Sequence, residues 1–395
     1  MCERKDDVSG GSDVTMLTYV RETPQAIVQN ADDRVRLTAE LVDVYLARPY
    51  RCVWVIACGS SANAAWCARP LMRKCLGHPV EVVKPATFLY SDFEPGEDTL
   101  CFVVSQSGCS TNAIWALDRL RELGRPAIGI TANLDSTFRD HADLLVDYGA
   151  GTELVGFVTK GMVTLVEFLM LFSIEAAERT GRLWAAEHDS LVDQIRAAGA
   201  LYARVQEHAD EFLERHFKAL TSMSVLYALG FDASFGTALE AALKVGETVK
   251  IPSFAYEAEE FNHGPNLQLT PSYTCFFVDD GGRGSGRLRQ LYRATRHVTD
   301  RAFMISTRTD AVGPVAADTS VAGVGADTDD PCVLALPAGG AERTIAPLYQ
   351  LPFFQVLAYR VSEALGTWDK HPLLARFEKE APSKSEDIRR VMPLM

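Results

Sequence analysis

The stretch Thr99-Leu-Cys-Phe-Val-Val104-Ser-Gln-Ser-Gly-Cys-Ser110 runs from an apolar segment straight into small polar residues. Six residues without a charge, rich in β-branched and aromatic side chains, read as a strand buried on both faces. From Thr111 to Leu123 the pattern becomes helical. Hydroxyls, a glycine and a helix N-terminus therefore meet at the carboxyl end of a strand. Backbone N–H and side-chain O–H groups can converge there on an anion without a cationic side chain.

The same strand, small-residue turn and helix recur on either side. Cys52-Val-Trp-Val-Ile-Ala57 reads as a strand, Cys58-Gly-Ser-Ser-Ala62 as a turn, and Asn63 to Leu76 as a helix. Further strands are expected at 80–83, 127–130 and 143–147. Strands alternating with helices at this rhythm indicate a parallel sheet covered on both faces. The second half repeats the logic. Ser224–Leu229 is a strand, Gly230–Gly236 a small-residue turn, and Thr237–Lys250 a helix stopped by Pro252. Strands at 273–278, 302–306 and 332–336 follow, with a glycine-rich loop at 281–286 and a helix at 288–298. The repetition is architectural and points to an internal duplication.

Between the halves, Val163 to Glu207 is helical and breaks near Gly181. Met16 to Ala47 is helical and is expected to break near Pro24. Pro347 to Leu365 is a strongly apolar helix. The organisation expected is a disordered start (1–15), a first sheet unit with its N-terminal helix (16–182), a connecting helix (183–215), a second sheet unit (216–365) and a polar tail (366–395).

The chain has 395 residues, 47% of them hydrophobic, and a net charge of −13. That charge argues against nucleic-acid and anionic-membrane partners, but loop amides can still hold a phosphate. The charged N-terminus does not read as a secretory signal, and no run of about 18 apolar residues suggests a membrane span. Nine cysteines, Cys52, Cys58, Cys101 and Cys275 among them, lie largely in apolar surroundings and suit the reduced cytoplasm. The eight histidines show no metal-ligand spacing.

Two turns of the first half offer hydroxyls: Ser60 and Ser61 in one, Ser105, Gln106, Ser107 and Ser110 in the other. In a doubly wound sheet such turns face each other where the strand order reverses, and ligands bind there. A phosphate ester of a small polyol suits them. A plain helix-capping role would explain either turn alone. In the second half, Glu240, Lys244 and Glu247 stand at i, i+4 and i+7 and share one helix face. A solvated salt-bridge ladder is the bland explanation. The small and apolar residues between them (Ala241, Ala242, Leu243, Val245) argue for burial. A carboxylate beside a buried lysine is suited to general-base chemistry. His263, held before Gly264-Pro265, could serve as a second acid/base group.

These motifs resemble those of the sugar isomerase (SIS) family. Cys58-Gly-Ser-Ser61 is similar to its C-G-[TS]-S turn, and Ser105-Gln-Ser-Gly-Cys-Ser110 to its S-Q-S-G-x-[TS] loop. Val158-Thr-Lys160 resembles S-T-K with valine for serine. Ala238-Leu-Glu-Ala-Ala-Leu-Lys244-Val-Gly-Glu247 resembles A-L-E-x-x-L-K-x-x-E, and His263-Gly-Pro265 its H-G-P. The motifs arrive in family order from about Met16 to Leu365.

The resemblance implies two tandem SIS subdomains of α/β class, each a three-layer, flavodoxin-like parallel sheet with helices on both faces, as in the isomerase half of glucosamine-6-phosphate synthase. It implies a homodimer or higher homo-oligomer with the active site at the subunit interface, and no metal or redox cofactor. Glu247 and His263 match the family's catalytic pair. Ser60, Ser61, Ser105, Gln106, Ser107, Ser110, Thr159 and Lys244 match substrate-binding positions.

Two departures matter. The residues before the first strand are too few for a glutaminase domain, so Cys2 is expected to be a coincidence. The family's tail lysine is matched by Arg376, which makes an enzyme-bound imine unattractive because arginine stays protonated. The stretch Lys244–Pro252 and the segment Tyr19–Pro24 lean towards the fructosamine-6-phosphate deglycases, such as fructoselysine-6-phosphate deglycase. The expected activity is cleavage of a 6-phosphorylated Amadori compound to glucose 6-phosphate and an amine. A phosphosugar isomerase or aminosugar-phosphate isomerase/deaminase is the alternative, and a non-catalytic sugar-phosphate sensor is a third. The amine end of the substrate is placed near Trp368–Phe377 or Ile251–Asn262.

Overall fold

A computed structural model describes residues 14–91, 94–307, 330–336 and 341–385. Two five-stranded parallel sheets carry the chain. The first contains β1 (Cys52–Ile56), β2 (Val80–Val83), β3 (Thr99–Val104), β4 (Ile128–Thr131) and β5 (Leu144–Asp147) in the order β2-β1-β3-β4-β5. The second contains β6 (Leu226–Gly230), β7 (Ser253–Glu257), β8 (Thr274–Asp279), β9 (Ala302–Ser306) and β10 (Val333–Ala335) in the order β10-β9-β8-β6-β7. Read from the other edge, the second order repeats the first, which supports the duplication inferred from the repeated pattern. Every pairing is parallel; Val55 pairs with Phe102 and Leu229 with Phe277. In both sheets the strand order reverses beside the first strand, so each has one switch point at its carboxyl edge.

The centre is helical. Lys160–Arg179 is buried at every position from Lys160 to Ala177. A helix apolar on all sides belongs inside a core, and this one packs against the helix Gly59–Leu76. The 31-residue helix Ala185–Arg215 lies against Met16–Asp32 and Pro347–Leu365. One apolar cluster runs from Leu17 through Val55, Phe168, Ala228 and Phe276 to Leu357, so both sheets share a core.

Four local expectations change. Met16–Asp32 continues through Pro24 and breaks at Asp33. The helix buries Leu17, Val20 and Ile27, and Gly199 of the long helix abuts the Pro24 carbonyl. That packing outweighs the roughly 3 kcal/mol disadvantage of an interior proline. Gly59, Ser60 and Ser61 are the first turn of the helix Gly59–Leu76, and Asp232–Gly236 the first turn of Asp232–Thr248. Strand β7 was hidden behind Pro252; it is a half-exposed edge strand paired only with β6. The tail carries a short helix, Leu374–Glu380. The disordered start was expected at 1–15; residues 1–13, Cys2 included, and the last ten of the tail lie outside the described residues.

Candidate active site

The switch point of the first sheet lies between the ends of β1 and β3. The Cys58 thiol approaches the Asn112 side-chain oxygen across it at 3.7 Å. The Ser105–Ser110 loop is folded on itself. Gly108 N–H donates to the Ser105 carbonyl at 3.0 Å, and Ser105 Oγ donates to Ser110 Oγ at 3.1 Å. Gly108 has φ +64°, and a Cβ there would land on Ser136 Oγ. Glycine is therefore required on two counts, backbone conformation and space. Ser105, Gln106 and Ser107 are buried, and Ser110 caps the helix Thr111–Glu122. The switch point of the second sheet is filled by the protein itself. Asp279 there accepts from Ser285 Oγ and Ser306 Oγ, each at 2.8 Å, and Gln350 Nε2 donates to its carbonyl.

The helix Asp232–Thr248 leans across from the second unit onto the first. Gly236 lets it touch the backbone of Cys67, where any Cβ would collide. This close approach delivers Glu240 to the N-terminus of Gly59–Leu76. Its carboxylate accepts from Ser60 Oγ and Asn63 Nδ2, both at 2.9 Å, where the helix dipole favours negative charge. Lys244 Nζ lies 3.3 Å from Glu240, 3.3 Å from Ser60 Oγ and 3.0 Å from Glu247 Oε2. Burial alone would lower the Lys244 proton affinity; the carboxylates of Glu240 and Glu247 overcome this and raise it. Lys244 is thus a fixed cation, with Glu240 its buried counter-charge. The Glu247 side chain keeps 37% of its surface open. The ladder is built into the junction of the two units and opens to solvent at its last rung.

The tail supplies a residue the sequence reading missed. Ser110 and Lys384 form an isolated bridge, and Ser385 N–H donates to the Cys109 carbonyl at 2.7 Å. Lys384 Nζ donates to Ser107 Oγ at 3.2 Å and to Ser110 Oγ at 3.1 Å. Burial lowers its proton affinity, with Cys58, Cys109 and Glu247 opposing. Arg376, matched earlier to the family's tail lysine, is exposed on the short helix. The objection to imine chemistry built on that arginine therefore falls, because the tail residue at the loop is a lysine. Only the serines flanking it, Ser383 and Ser385, could have singled it out.

Thr159 is buried, and its hydroxyl is turned to the Phe157 carbonyl at 2.8 Å. Its N–H, with those of Lys160 and Gly161, donates to Glu153, a buried cap that sequence reasoning did not single out. His263 is exposed, with Glu259 as its charged neighbour, and no hydrogen bond or ion pair joins it to Glu247 within the described residues. One chain thus brings together Ser60, Lys244 and Glu247, and separately Ser105, Ser107, Ser110 and Lys384. Among the described residues, one cluster of metal-ligand type forms, from Glu175, Glu178 and His188. Glu175 Oε1 already accepts from Arg34 at 2.8 Å and lies 2.9 Å from His188 Nε2, as in an ion-pair network. No described helix is long and apolar enough to cross a membrane.

The switch point thus meets, through Ser60, a helix that carries a Lys–Glu pair. Residues 49–174 match the family model of the SIS domain. The glutamine–fructose-6-phosphate aminotransferase (isomerizing) of Symbiobacterium thermophilum is 31% identical over 275 residues, 66% of this chain and 44% of that protein. The chain spans about half the length of the curated relatives it matches. The C-terminal domain of the Francisella tularensis glucosamine-fructose-6-phosphate aminotransferase superposes with a TM-score of 0.76 at 19% identity, covering 93% of this chain and all of that one. Glucosamine-6-phosphate deaminase of Thermotoga maritima superposes with a TM-score of 0.64 at 20% identity, covering 89% and 97%. At these identities the structural likeness establishes the fold.

Proposed function

We propose that the chain is a phosphosugar enzyme that moves a proton beside a sugar carbonyl, and that its substrate is a 6-phosphorylated Amadori compound. The observation that carries this is the Lys244–Glu247 pair, 3.0 Å apart, with one partner buried and the other open to solvent, where its charge acts on Lys384 of the serine-lined loop. The phosphate is held by the hydroxyls of Ser105, Ser107 and Ser110, the loop amides and the N-terminus of Thr111–Glu122, with Lys384 closing over it. Glu247 removes a proton from C1 of the fructosamine, the freed electron pair forms the C1=C2 bond, and the carbonyl π pair moves to the C2 oxygen, which takes a proton from water to give an enaminol. Return of the proton at C2 gives an imine of glucose 6-phosphate, which water cleaves to glucose 6-phosphate and the free amine. Lys244 holds Glu247 in place and keeps a positive field over the oxygen on which charge develops. His263 assists ring opening from the partner subunit of a homodimer. Its exposure within one chain supports a role that a second copy completes.

The position of Lys384 favours a second reading, an isomerase or deaminase of aminosugar phosphates. A buried lysine of lowered proton affinity at the loop is an amine suited to condensing with a ketose carbonyl. One assay separates the two. The protein is incubated with 6-phosphorylated fructosamines and with fructose 6-phosphate, and free amine, glucose 6-phosphate and aminosugar phosphate are measured. Amine and glucose 6-phosphate from the fructosamines support the first reading. Turnover of fructose 6-phosphate or an aminosugar phosphate alone overturns it in favour of the second.

A further inference from the structure

A cavity of about 320 Å³ is lined by Met16, Leu154, Phe157, Tyr359, Glu363 and Trp368. We propose that it receives the amine half of the substrate, and that this half is apolar and carries no anionic group. The proposal rests on the deglycase reading and narrows its substrate class.

The walls are aromatic and fixed. Trp368 packs against Phe157 at 5.8 Å and Tyr359 at 5.7 Å between ring centres. Its indole N–H donates to Glu363, which sets the ring plane and places the carboxylate in the lining. Among the described residues, no lysine or arginine lines the cavity. A carboxylate-bearing amine would bring its anion beside Glu363 with no cation in the lining to pair it. An apolar amine buries its surface against the rings, and its protonated nitrogen is attracted by the ring faces and by Glu363.

The cavity is tied to the catalytic helix by covalent and hydrogen-bonded links. Thr367, next to Trp368, donates through Oγ1 to the carbonyl of Thr248 at 2.7 Å, and Thr248 follows Glu247. Lys250 Nζ donates to the Thr367 carbonyl. On the opposite wall, the Phe157 carbonyl accepts from Thr159 Oγ1 at the start of the buried central helix. The segment from Trp368 to Lys384 runs from the cavity to the phosphate loop. The cavity and the loop therefore lie at the two ends of one strap, with Glu247 linked to the cavity end. Glu247 also acts on the charge of Lys384, so the residue linked to the cavity end lies near the loop as well.

The test is calorimetric titration of the whole chain, saturated with fructose 6-phosphate, with phenethylamine and separately with aspartate. Wild type is expected to bind phenethylamine and not aspartate, and Trp368→Ala to weaken phenethylamine at least tenfold. Glu363→Arg is expected to invert the preference towards aspartate, a gain that a misfolded chain could not show. Equal binding of phenethylamine by all three proteins, or none by wild type, overturns the proposal. Binding as expected without cleavage of the phenethylamine-derived fructosamine 6-phosphate counts against deglycation while supporting the amine site. Cleavage of aspartate- and phenethylamine-derived substrates at equal rates by wild type and Trp368→Ala overturns the amine site and leaves deglycation standing.

Discussion

Lys244 Nζ sits 3.0 Å from Glu247 Oε2, yet the lysine is sealed in the protein and the glutamate is open to the crevice. A buried cation must be paired, and here it has two carboxylates, Glu240 behind it and Glu247 in front. The arrangement fixes where a proton acceptor can stand relative to the serine loop.

Replacing Lys244 tests the buried side of this pair. Lys244→Met leaves Glu240 buried without its cation and is expected to destabilise the protein by about 3–5 kcal/mol, read by urea unfolding. Adding Glu240→Gln should recover much of that loss. A Lys244→Met protein as stable as wild type would show that Glu240 needs no counter-charge.

Gly108→Ala tests the loop. The added methyl meets Ser136 Oγ in a backbone conformation of positive φ. The expected cost is about 1–3 kcal/mol of local strain, relieved by displacing the loop. Fructose 6-phosphate binding should fall by more than tenfold, measured by titration calorimetry, while far-UV circular dichroism is unchanged. Unaltered binding would remove the phosphate from this loop.

Lys384 makes the tail sensitive to pH. Burial lowers its proton affinity in the docked state relative to the free tail. Between that lowered value and the ordinary lysine value near 10.4, the free tail binds more protons, so docking strengthens as pH rises through the window, weakens as pH falls back through it, and is constant below it. Hydrogen exchange of the segment 368–385 should therefore slow as the pH is raised towards the ordinary lysine value, after correction for intrinsic rates. A bound phosphate reverses the balance by favouring the ammonium, so ligand binding at high pH should take up protons from buffer. Exchange that quickens with pH in wild type, or does not differ from Lys384→Met, would refute the docking.

Much of this was legible in the residues. Leu100–Val104 and Leu226–Leu229 are continuous apolar runs closed by small residues, and only buried parallel strands satisfy both features. The face shared by Glu240, Lys244 and Glu247 follows from helical spacing alone. What was hidden depended on tertiary packing. Pro24 reads as a breaker, but the long helix packed on it holds the turn. β7 lacks an alternating pattern because it is a half-exposed edge. Lys384 lies in a polar tail where no periodicity marks it, and its place is set by backbone pairing with Ser110. His263 has acid/base chemistry by residue type, but among the described residues one chain does not bring it to Glu247.

Subunit sharing is tested by complementation. Glu247→Gln and His263→Ala are each expected to be nearly inactive and normally folded. Mixed and allowed to exchange subunits, they should recover about a quarter of wild-type activity, because half the dimers are mixed and each of these holds one intact site. No recovery despite demonstrated exchange would place both residues within one chain's site.

The most direct measurement is the rate of glucose 6-phosphate and amine formation from a fructosamine 6-phosphate, with fructose 6-phosphate in parallel, by wild type and by Glu247→Gln. The neutral amide keeps the shape of Glu247 but cannot accept the proton. Wild type should turn over, while the variant binds the sugar phosphate and loses at least about a hundredfold in rate. A Glu247→Gln protein working at the wild-type rate would contradict the account at its centre.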